Sequence, residues 1–425
     1  MDIRIIPAPL RGKAAAPPSK SMAHRLLICG ALADRPTRLL LEGGSDDISA
    51  TARCLEALGG GAEPFPGGLE VRPLSPAEGQ GDLPFLDCGE SGSTLRFLLP
   101  VAAALGGDVF DGRGRLPQRP LSPLREELEA HGCTLTPPGQ WPLRISGGLR
   151  PGRYRLAGDV SSQYFSGLLM ALPLLEGDSV VEYLPPLESS RYIGMTLRAM
   201  ESFGVAVRPV ERGWEVPGGQ WYHSPGELPV EGDWSAAAFW RAGGALGGPV
   251  EVSGLDLGSL QGDRAMLALA VLTGAEAAPG AGALAVRRGR LLPLDTDVSE
   301  TPDLAPALAA LAALTPGVTR IRGAARLRAK ESDRLAALAD SLGALGADIR
   351  QTSDGLIITG RTQLRGGTAD GWNDHRIVMA LAVAALGCRE PVVIRGAEAV
   401  AKSYPRFFED YNRLGGRADV IHNGR

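Results

Sequence analysis

Residues 87–107 read DCGESGSTLRFLLPVAAALGG, a short polar turn followed by an almost wholly apolar run. Leu95, Leu98 and Leu99 recur at helical spacing, so the sequence predicts a helix after the turn. The free N–H groups at the start of such a helix carry about half a positive charge, which suits a bound anion. Arg96 adds a full positive charge one turn into the helix. Taken alone, this pattern is also typical of an ordinary capped helix. It indicates an anion-binding site only because the same pattern recurs along the chain.

The same turn-and-helix unit recurs six times at intervals of about 70 residues, which indicates an internal repeat. A second, amphipathic helix closes each unit on a glycine-containing turn, and these glycines recur with the same period. Two independent markers with one period are hard to obtain by chance. The first helices start at Ser21, Gly92, Ser162, Ser235, Asp303 and Asp374, and the closing glycines are Gly59, Gly132, Gly204, Gly274, Gly346 and Gly415.

The two helix types predict a layered α/β fold. The first helices, for example residues 168–175 and 307–314, lack a polar face, and a helix that is apolar all round is a buried one. We therefore predict an inside-out α/β barrel in each of two domains, in which strands and amphipathic helices wrap around the buried helices of three units. A Pro/Gly-rich stretch near residue 230 marks the boundary. The predicted domains are residues 19–229, with units one to three, and residues 1–18 with 230–425, with units four to six.

Composition limits the class of protein. With 425 residues, of which 44% are hydrophobic and 22% charged, the chain is typical of a folded globular protein with two domains. Its net charge of −4 argues against general nucleic-acid binding, and its apolar runs are too short or too interrupted to span a bilayer. The first residues lack the features of a signal peptide, and the five scattered cysteines favour buried free thiols in a reducing cytoplasm. The five histidines show no metal-ligand spacing.

Cationic side chains at the helix starts indicate an anion-binding function. Serine and aspartate at these positions are typical N-caps, and capping accounts for Ser235 and Asp374. It does not account for the cations, because a positive charge at a helix N-terminus opposes the helix dipole. The cations that therefore require an anion are Lys20, Arg25, Arg96 and Arg376.

Three further charged stretches lie near unit boundaries, at residues 112–120, 328–334 and 401–405. The second of them is expected to open the amphipathic helix of unit five, and Glu331 stands in it among three cations, Arg328, Lys330 and Arg334. A carboxylate held in this way is a candidate acid–base group.

Eight motifs, in order along the whole chain, resemble those of the enolpyruvyl transferase family. They are Ser19-Lys20-Ser21 with Arg25, Gly92 within Gly-x-x-Gly, Gln118-Arg119-Pro120, Ser161-Ser162-Gln163, Pro302-Asp303, Lys330-Glu331-Ser332-Asp333-Arg334, Asn373-Asp374-His375-Arg376 and Lys402-Ser403-Tyr404-Pro405. The fold of that family has two domains of three repeated units with buried helices, in agreement with the periodicity. Within the family, the motifs are most similar to those of members that act on shikimate 3-phosphate.

The resemblance implies transfer of the enolpyruvyl group of phosphoenolpyruvate to the 5-hydroxyl of shikimate 3-phosphate, with release of phosphate. This reaction is a step of the shikimate pathway toward chorismate and the aromatic amino acids. The resemblance further implies small-molecule substrates as partners, no metal or organic cofactor, no nucleic acid or membrane, and a cytoplasmic monomer.

The resemblance also implies a role for each motif residue. Asp303 is similar to the base that takes the 5-hydroxyl proton, Glu331 to the acid that protonates the enol methylene, and Lys20 to a residue that reaches both substrates. The residues implied to hold shikimate 3-phosphate are Lys20, Ser21, Arg25, Ser161, Ser162, Gln163, Ser189, Tyr192, Asp303 and Lys330. Those implied to hold phosphoenolpyruvate are Lys20, Gly92, Arg119, Gln163, Arg334, Arg376 and Lys402.

Four positions depart from the family pattern, and other functions stay open. Glu90 stands where many members have Asn, Ser93 where Thr is usual, His24 where Asn is common, and Arg326 near a position where some members have Asn. The nearest alternative, transfer to UDP-N-acetylglucosamine, is disfavoured because the loop that corresponds to residues 113–119 has no cysteine. An RNA 3′-phosphate cyclase-like protein is disfavoured by the negative net charge and the lack of interleaved basic and aromatic residues. A non-catalytic anion-binding module is disfavoured by the two candidate acid–base carboxylates.

Overall fold

The computed structural model describes residues 1–75, 83–279 and 284–422. In this part of the chain, helices alternate with short strands, so the fold is of the mixed α/β class that the repeat predicted. The α-helices are α1 (Lys20–Ala31), α2 (Asp46–Ala57), α3 (Gly92–Leu105), α4 (Leu124–Ala130), α5 (Ser162–Ala171), α6 (Ser190–Ser202), α7 (Trp234–Leu246), α8 (Ala265–Leu272), α9 (Ala305–Ala313), α10 (Arg334–Ala344), α11 (His375–Ala384) and α12 (Phe407–Arg413).

The strands are short and evenly distributed along the chain. They are β1 (Asp2–Ile6), β2 (Gly12–Ala15), β3 (Thr37–Leu40), β4 (Gly61–Phe65), β5 (Gly68–Arg72), β6 (Phe85–Asp87), β7 (Gly107–Asp111), β8 (Cys133–Leu135), β9 (Leu143–Gly147), β10 (Arg153–Ala157), β11 (Ser179–Leu184), β12 (Arg208–Val210), β13 (Gly213–Val216), β14 (Glu227–Pro229), β15 (Val250–Ser253), β16 (Glu276–Pro279), β17 (Leu284–Arg287), β18 (Asp295–Asp297), β19 (Gly317–Arg322), β20 (Asp348–Gln351), β21 (Leu356–Gly360), β22 (Gly367–Asp370), β23 (Val392–Arg395) and β24 (Arg417–His422).

The strands of the described residues form six four-stranded sheets with one common pattern. In each sheet the first two strands run parallel, and the third and fourth are added antiparallel. This recurrence confirms the sixfold repeat that the spacing of turns and glycines predicted. The orders are β14-β3-β5-β4, β6-β7-β9-β8, β10-β11-β13-β12, β2-β15-β17-β16, β18-β19-β21-β20 and β22-β23-β1-β24.

The chain divides into two compact units. Residues 18–231 form the unit called N-terminal below, and residues 1–17 with 232–425 form the unit called C-terminal. The strand β1 lies in the second of these, because it pairs antiparallel with β23 and β24. The next strand, β2, runs parallel to β15 in the same unit. The N-terminal residues therefore complete two sheets of the C-terminal unit.

The first helix of each repeat is buried on nearly every face, as its apolar sequence predicted. Every residue of α9 and of α11 is buried, and α5 leaves only Gln163 partly exposed. Small residues allow this packing: a Cβ added at Gly167 in α5 would collide with the carbonyl oxygen of Arg96 in α3. The second helices have one buried and one exposed face. In α6 the buried residues are Ile193, Met195, Thr196, Ala199 and Met200.

Three expectations about helix starts need correction. Ser235 does not cap α7; the cap is Asp233, whose Oδ1 accepts the backbone N–H of Ala236 at 2.8 Å. Asp303 lies in a 3-10 turn, Pro302–Leu304, just before α9. Glu331 lies three residues before α10, which is capped by Asp333. The turn at Pro302 moves the start of α9 past Asp303, and the caps Asp233 and Asp333 set where α7 and α10 begin. The spacing of residues in the sequence does not reveal these details.

Candidate active site

Capping serines shape the polar helix starts of the N-terminal unit. The hydroxyls of Ser19, Ser91 and Ser161 each accept a backbone N–H of the helix that follows, at 3.4, 3.2 and 3.3 Å. The serines next in line, Ser21 and Ser162, lie in the first turns of α1 and α5. The structure therefore gives Ser161, expected as a substrate ligand, a capping bond as well.

Arg25 is a buried cation surrounded by neutral oxygens. Its guanidinium donates to the hydroxyls of Thr196 (2.7 Å) and Ser166 (3.2 Å) and to the carbonyls of Ser21 (2.6 Å) and Tyr192 (2.9 Å). Burial lowers the pKa of Arg25 to about 10, so it stays charged at neutral pH. None of these described partners is a carboxylate, so a bound anion would complete the neutralisation of this buried charge.

Lys20 has a counter-ion that sequence reasoning missed. Its Nζ lies 2.7 Å from Oδ2 of Asp47, and both side chains are largely buried. The positive charge at the start of α1 is thus balanced by a protein carboxylate. Lys20 and Asp47 are on neighbouring helices, and no local pattern in the sequence predicts that pair.

Two guanidinium groups converge on the start of α3. A Cβ at Gly92 would lie 2.6 Å from a guanidinium nitrogen of Arg119 and 2.8 Å from one of Arg96. Arg96 also donates to Oε1 of Gln163 at 3.0 Å, and Gln163 donates to the hydroxyl of Ser93 at 2.9 Å. The missing side chain at Gly92 is therefore what allows two arginines to approach the N–H groups of this helix. The arrangement is an anion-binding site in charge and in shape.

Ser189 and Tyr192 lie at the start of α6. Ser189 is buried and has a φ of 55°, in the left-handed region that residues other than glycine rarely adopt. Such a conformation costs on the order of 1 kcal/mol, and it persists where the surroundings hold it. Because the carbonyl of Tyr192 accepts from Arg25, this strained turn is tied to the buried cation.

His24 joins two of these helix starts. Its Nδ1 lies 2.7 Å from the hydroxyl of Thr51, which is 2.7 Å from that of Thr94, and Thr94 is 2.8 Å from the hydroxyl of Ser91. Burial, with the nearby charges of Lys20 and Arg25, holds the pKa of His24 well below its usual range. A neutral imidazole therefore links α1, through α2, to the cap of α3.

Arg334 organises the site residues of the C-terminal unit. Its guanidinium contacts three carboxylates: Asp374 at 2.8 and 3.2 Å, Asp303 at 2.9 Å and Glu331 at 2.8 Å. Burial alone would lower the pKa of Arg334. The negative charges of Asp374, Glu331 and Asp303 outweigh burial and raise this pKa above its usual value. The arginine predicted to hold phosphoenolpyruvate thus also fixes the positions of both candidate acid–base carboxylates.

Asp303 is surrounded by cations. Besides Arg334, Nη2 of Arg376 lies 3.1 Å from one carboxylate oxygen and Nζ of Lys330 lies 3.6 Å from the other. Burial alone would raise the pKa of Asp303, but Arg376, Lys330 and Arg334 hold it well below its usual range. Asp303 is therefore an ionised acceptor at neutral pH.

The start of α11 supplies a further carboxylate, Asp374, and the cation Arg376, and the residue before Asp374 binds Lys402. Asp374 caps the helix, since its Oδ1 accepts the backbone N–H of Arg376 at 2.9 Å, and its Oδ2 accepts the hydroxyl of Ser332 at 2.9 Å. Asn373, just before it, has a φ of 49°, and its carbonyl accepts Nζ of Lys402 at 2.6 Å. The sequence places Asn373, Asp374 and Arg376 in one motif, but it does not predict their bonds to Lys402 and Ser332.

Asp263 is a buried carboxyl that sequence reasoning missed. It lies in the turn Gly262–Arg264, and its Oδ2 accepts a hydrogen bond from the hydroxyl of Ser235. Burial, together with the charge of Asp303, raises its pKa to about 7. The chain from 232 to 303 contains several other acidic residues, and nothing in their local pattern distinguishes this one.

Three structural features bear on the expected classes of ligand and location. Among the described residues, no group of three His, Cys, Asp or Glu side chains has the geometry of a metal site. No helix in that part of the chain is long and apolar enough to cross a membrane. The five cysteines are buried free thiols, as their scattered positions predicted.

Comparison with known proteins first establishes the class. The enolpyruvyl transferase NikO from Streptomyces tendae has the same fold, with a TM-score of 0.79 over 98% of both chains at 18% identity. An EPSP synthase from Acinetobacter baumannii superposes with a TM-score of 0.80 over 99% of this chain and 100% of its own, at 28% identity. The fold is that of enolpyruvyl transferases.

Sequence comparison then establishes the family. The sequence model of the family EPSP synthase (3-phosphoshikimate 1-carboxyvinyltransferase) matches residues 5–411 of this chain. The 3-phosphoshikimate 1-carboxyvinyltransferase of Clostridium kluyveri is 42% identical over 430 residues, which cover 100% of this chain and 99% of the relative. That of Clostridium novyi is 40% identical, with 100% of both chains covered. The chain belongs to the EPSP synthase family, as the eight motifs predicted.

Proposed function

We propose that this chain transfers the enolpyruvyl group of phosphoenolpyruvate to the 5-hydroxyl of shikimate 3-phosphate, giving 5-enolpyruvylshikimate 3-phosphate and phosphate. The observation that carries the proposal is the ionised Asp303, held among Arg334, Arg376 and Lys330 in a chain that the family matches over nearly its whole length. The reaction belongs to the shikimate pathway, which leads to chorismate and the aromatic amino acids.

Ten residues are assigned to shikimate 3-phosphate in this proposal. Arg25 is the strongest candidate for its phosphate, because it is buried and hydrogen-bonded only to neutral oxygens. A phosphate would displace no carboxylate partner of Arg25 among the described residues, and it would add a charge-assisted hydrogen bond. The other assigned residues are Lys20, Ser21, Ser161, Ser162, Gln163, Ser189, Tyr192, Asp303 and Lys330.

Phosphoenolpyruvate carries a phosphate and a carboxylate, so it needs several cations. We assign to it Arg119 and the helix start at Gly92, where two guanidinium groups converge. We also assign to it Arg334, Arg376, Lys402, Lys20 and Gln163. Arg376 can serve the ligand while it stays hydrogen-bonded to Asp303, because a guanidinium has five N–H donors.

The chemistry uses two carboxylates in different roles. Asp303 takes the proton of the 5-hydroxyl as that oxygen bonds to the enol carbon, and Glu331 donates a proton to the methylene. In the tetrahedral intermediate, the carboxylate of Glu331 takes a proton back from the methyl group while phosphate leaves with the electron pair of its C–O bond, and the double bond is restored. Anionic ligands compete for Arg376 and Lys330, so substrate binding should weaken their hold on Asp303 and make it a stronger base.

The proposal includes the finer expectations from the sequence. Proton transfer between the two carboxylates and the substrates needs neither a metal nor an organic cofactor. The net charge of −4 is unfavourable for nucleic acid as a partner. We propose that the enzyme acts as a monomer in the cytoplasm, on these two small molecules.

The test is release of phosphate from phosphoenolpyruvate in the presence of each acceptor. We expect release that depends on shikimate 3-phosphate and is lost in Asp303→Asn, which keeps the shape of the side chain but cannot take the proton. Release that depends instead on UDP-N-acetylglucosamine would replace this proposal with the alternative transferase. Release without any acceptor would contradict both.

A further inference from the structure

The C-terminal unit contains a second buried carboxyl, Asp263, which the chemistry above does not use. Only 1% of this residue is exposed. Its Oδ2 accepts the hydroxyl of Ser235, whereas its Oδ1 has no hydrogen-bond partner among the residues that the structure describes. It forms no ion pair with any of them. A carboxyl buried in this way is far more stable when it carries a proton.

Asp263 and Asp303 lie in two short turns that pack against the same helix, α7. The turn that holds Asp263, Gly262–Arg264, and the turn that holds Asp303, Pro302–Leu304, both contact α7. After burial, the negative charge of Asp303 is the largest influence opposing ionisation of Asp263. The other groups that act on it are Arg376 and the hydroxyl of Ser235, which favour ionisation, and Asp233, which opposes it. The two carboxyls therefore interact through the electric field, while each keeps its own hydrogen-bond partners.

We propose that Asp263 is a positioning residue of this site, whose carboxyl sets by its charge how strongly Asp303 attracts a proton. When Asp263 is protonated it is neutral and leaves Asp303 to the three cations. When Asp263 releases its proton to solvent, a second negative charge near Asp303 makes proton transfer from the substrate hydroxyl more favourable. The inference rests on the proposed function, in which Asp303 is the base.

The two carboxyls respond to pH in different ranges. Burial raises the pKa of Asp263 to about 7, so its charge changes around neutral pH. The pKa of Asp303 is held well below its usual range by Arg376, Lys330 and Arg334, so Asp303 stays ionised throughout. A change of pH between 6 and 8.5 in the experiment below therefore acts on Asp263 and leaves the resting charge of Asp303 unchanged.

The first measurement compares kcat of the wild type and of Asp263→Asn across this pH range. The amide mimics the neutral carboxyl, so we expect equal kcat at pH 6 and a loss of about three- to tenfold in the variant at pH 8.5, a modest Brønsted effect on the base. KM for both substrates should be unchanged, because the proposed function does not assign Asp263 to either substrate. A ratio of kcat values that is the same at both pH values would overturn the inference.

Ser235 provides a second pair of variants. Its hydroxyl stabilises the ionised carboxyl, so Ser235→Ala should move the rise of kcat to higher pH. Ser235→Thr keeps the hydroxyl and should restore the wild-type profile. Identical profiles for Ser235→Ala and the wild type would contradict the proposed coupling.

A measurement of protein stability, which does not depend on catalysis, shows whether Asp263 titrates. Its pKa is higher in the folded chain (about 7) than the usual 3.9 of an unfolded aspartate. The neutral carboxyl therefore makes its full contribution to stability below about pH 4, and this contribution is lost as pH rises through about 7. Asp263→Asn should thus gain stability relative to the wild type over that interval in urea unfolding. A difference that does not vary with pH would overturn the inference.

Asp108 in β7 is the matched control. It is also buried, with an unpartnered Oδ2 and a pKa that burial raises to about 7, but it belongs to the N-terminal unit and no charged group shifts its pKa. Asp108→Asn should show the same change of stability with pH and a wild-type kcat profile. If Asp303→Asn is inactive and the ratio of kcat between Asp263→Asn and the wild type does not change with pH, this inference is wrong while the proposed base stands. If Asp303→Asn keeps wild-type turnover, the proposed base and this inference fall together.

Discussion

Arg25 in the N-terminal unit and Arg334 in the C-terminal unit are buried cations with different kinds of partner. In the N-terminal unit, the hydrogen-bond partners of Arg25 are four neutral oxygens. In the C-terminal unit, Arg334 contacts three carboxylates, and two of its neighbours, Arg376 and Lys330, share one of them. The first arrangement has unbalanced charge and gains from an anion supplied by a ligand. The second is balanced internally, so a ligand must compete with existing ion pairs. The difference indicates that one region recognises charge and the other adjusts the acidity of reacting groups.

The largest effect should come from the carboxylates of the balanced cluster. Glu331→Gln keeps the shape and a hydrogen bond but cannot cycle a proton. We expect turnover to fall by about 10²–10⁴-fold, with affinity for both substrates close to normal. Steady-state kinetics and ligand titration of the same preparation test this. The exposed Glu409→Gln is the control, and a loss explained by affinity alone would make Glu331 a structural partner of Arg334.

Replacing the central arginine of each unit tests the comparison directly. Arg334→Met leaves buried carboxylates without their shared cation, so we expect a loss of about 3–5 kcal/mol in the free energy of unfolding. Arg25→Met removes a cation whose partners are neutral, and the cost should be smaller, about 1–3 kcal/mol for unsatisfied oxygens. Urea unfolding of both variants measures this. Equal losses would mean that the two cations are neutralised in equivalent ways.

The converging arginines at the start of α3 should control affinity for phosphoenolpyruvate. Arg119→Ala removes a charge-assisted contact worth about 1.5–3 kcal/mol, so Kd should rise by about 10- to 100-fold. Isothermal titration in the presence of shikimate 3-phosphate measures it. Arg115, exposed in the same loop, gives the matched control Arg115→Ala, which should bind normally. Normal affinity in Arg119→Ala would remove Arg119 from the site.

The smallest expected effect is on acid stability. In the folded chain, cations hold the pKa values of Asp303 and Asp374 below their usual range despite burial. Their contribution to stability is present above the unfolded value of about 4 and is lost as pH falls below it. Asp303→Asn should therefore show a shallower fall in stability between pH 5 and pH 3 than the wild type. An unchanged slope would mean that Asp303 is not held ionised by its neighbours.

The sequence predicts the repeat and the location of the site, because both depend on local order. Helices without a polar face are buried, and motif residues recur at their starts, so Gly92, Ser162 and Arg376 could be placed at helix starts without a structure. Ion-pair partners were not predictable in the same way. Lys20 meets Asp47 and Ser235 meets Asp263 across different elements, and such meetings depend on side-chain direction after packing. The predicted cap of α7, Ser235, was wrong for a related reason, since Asp233 lies two residues before it and can also cap the helix, and only geometry selects Asp233.

The pairing of β1 has a consequence for vectorial synthesis on the ribosome. This strand is synthesised before residues 18–231, yet Ile3 lies between Ile394 and Val420 in the finished sheet. Both edges of β1 stay without these partners until residues 392–422 have been made, while residues 18–231 can fold as a contiguous segment in the meantime. An unpaired apolar strand invites association with other nascent chains. The charged Asp2 and Arg4, which alternate with the isoleucines, make that nascent strand less prone to aggregate during the wait.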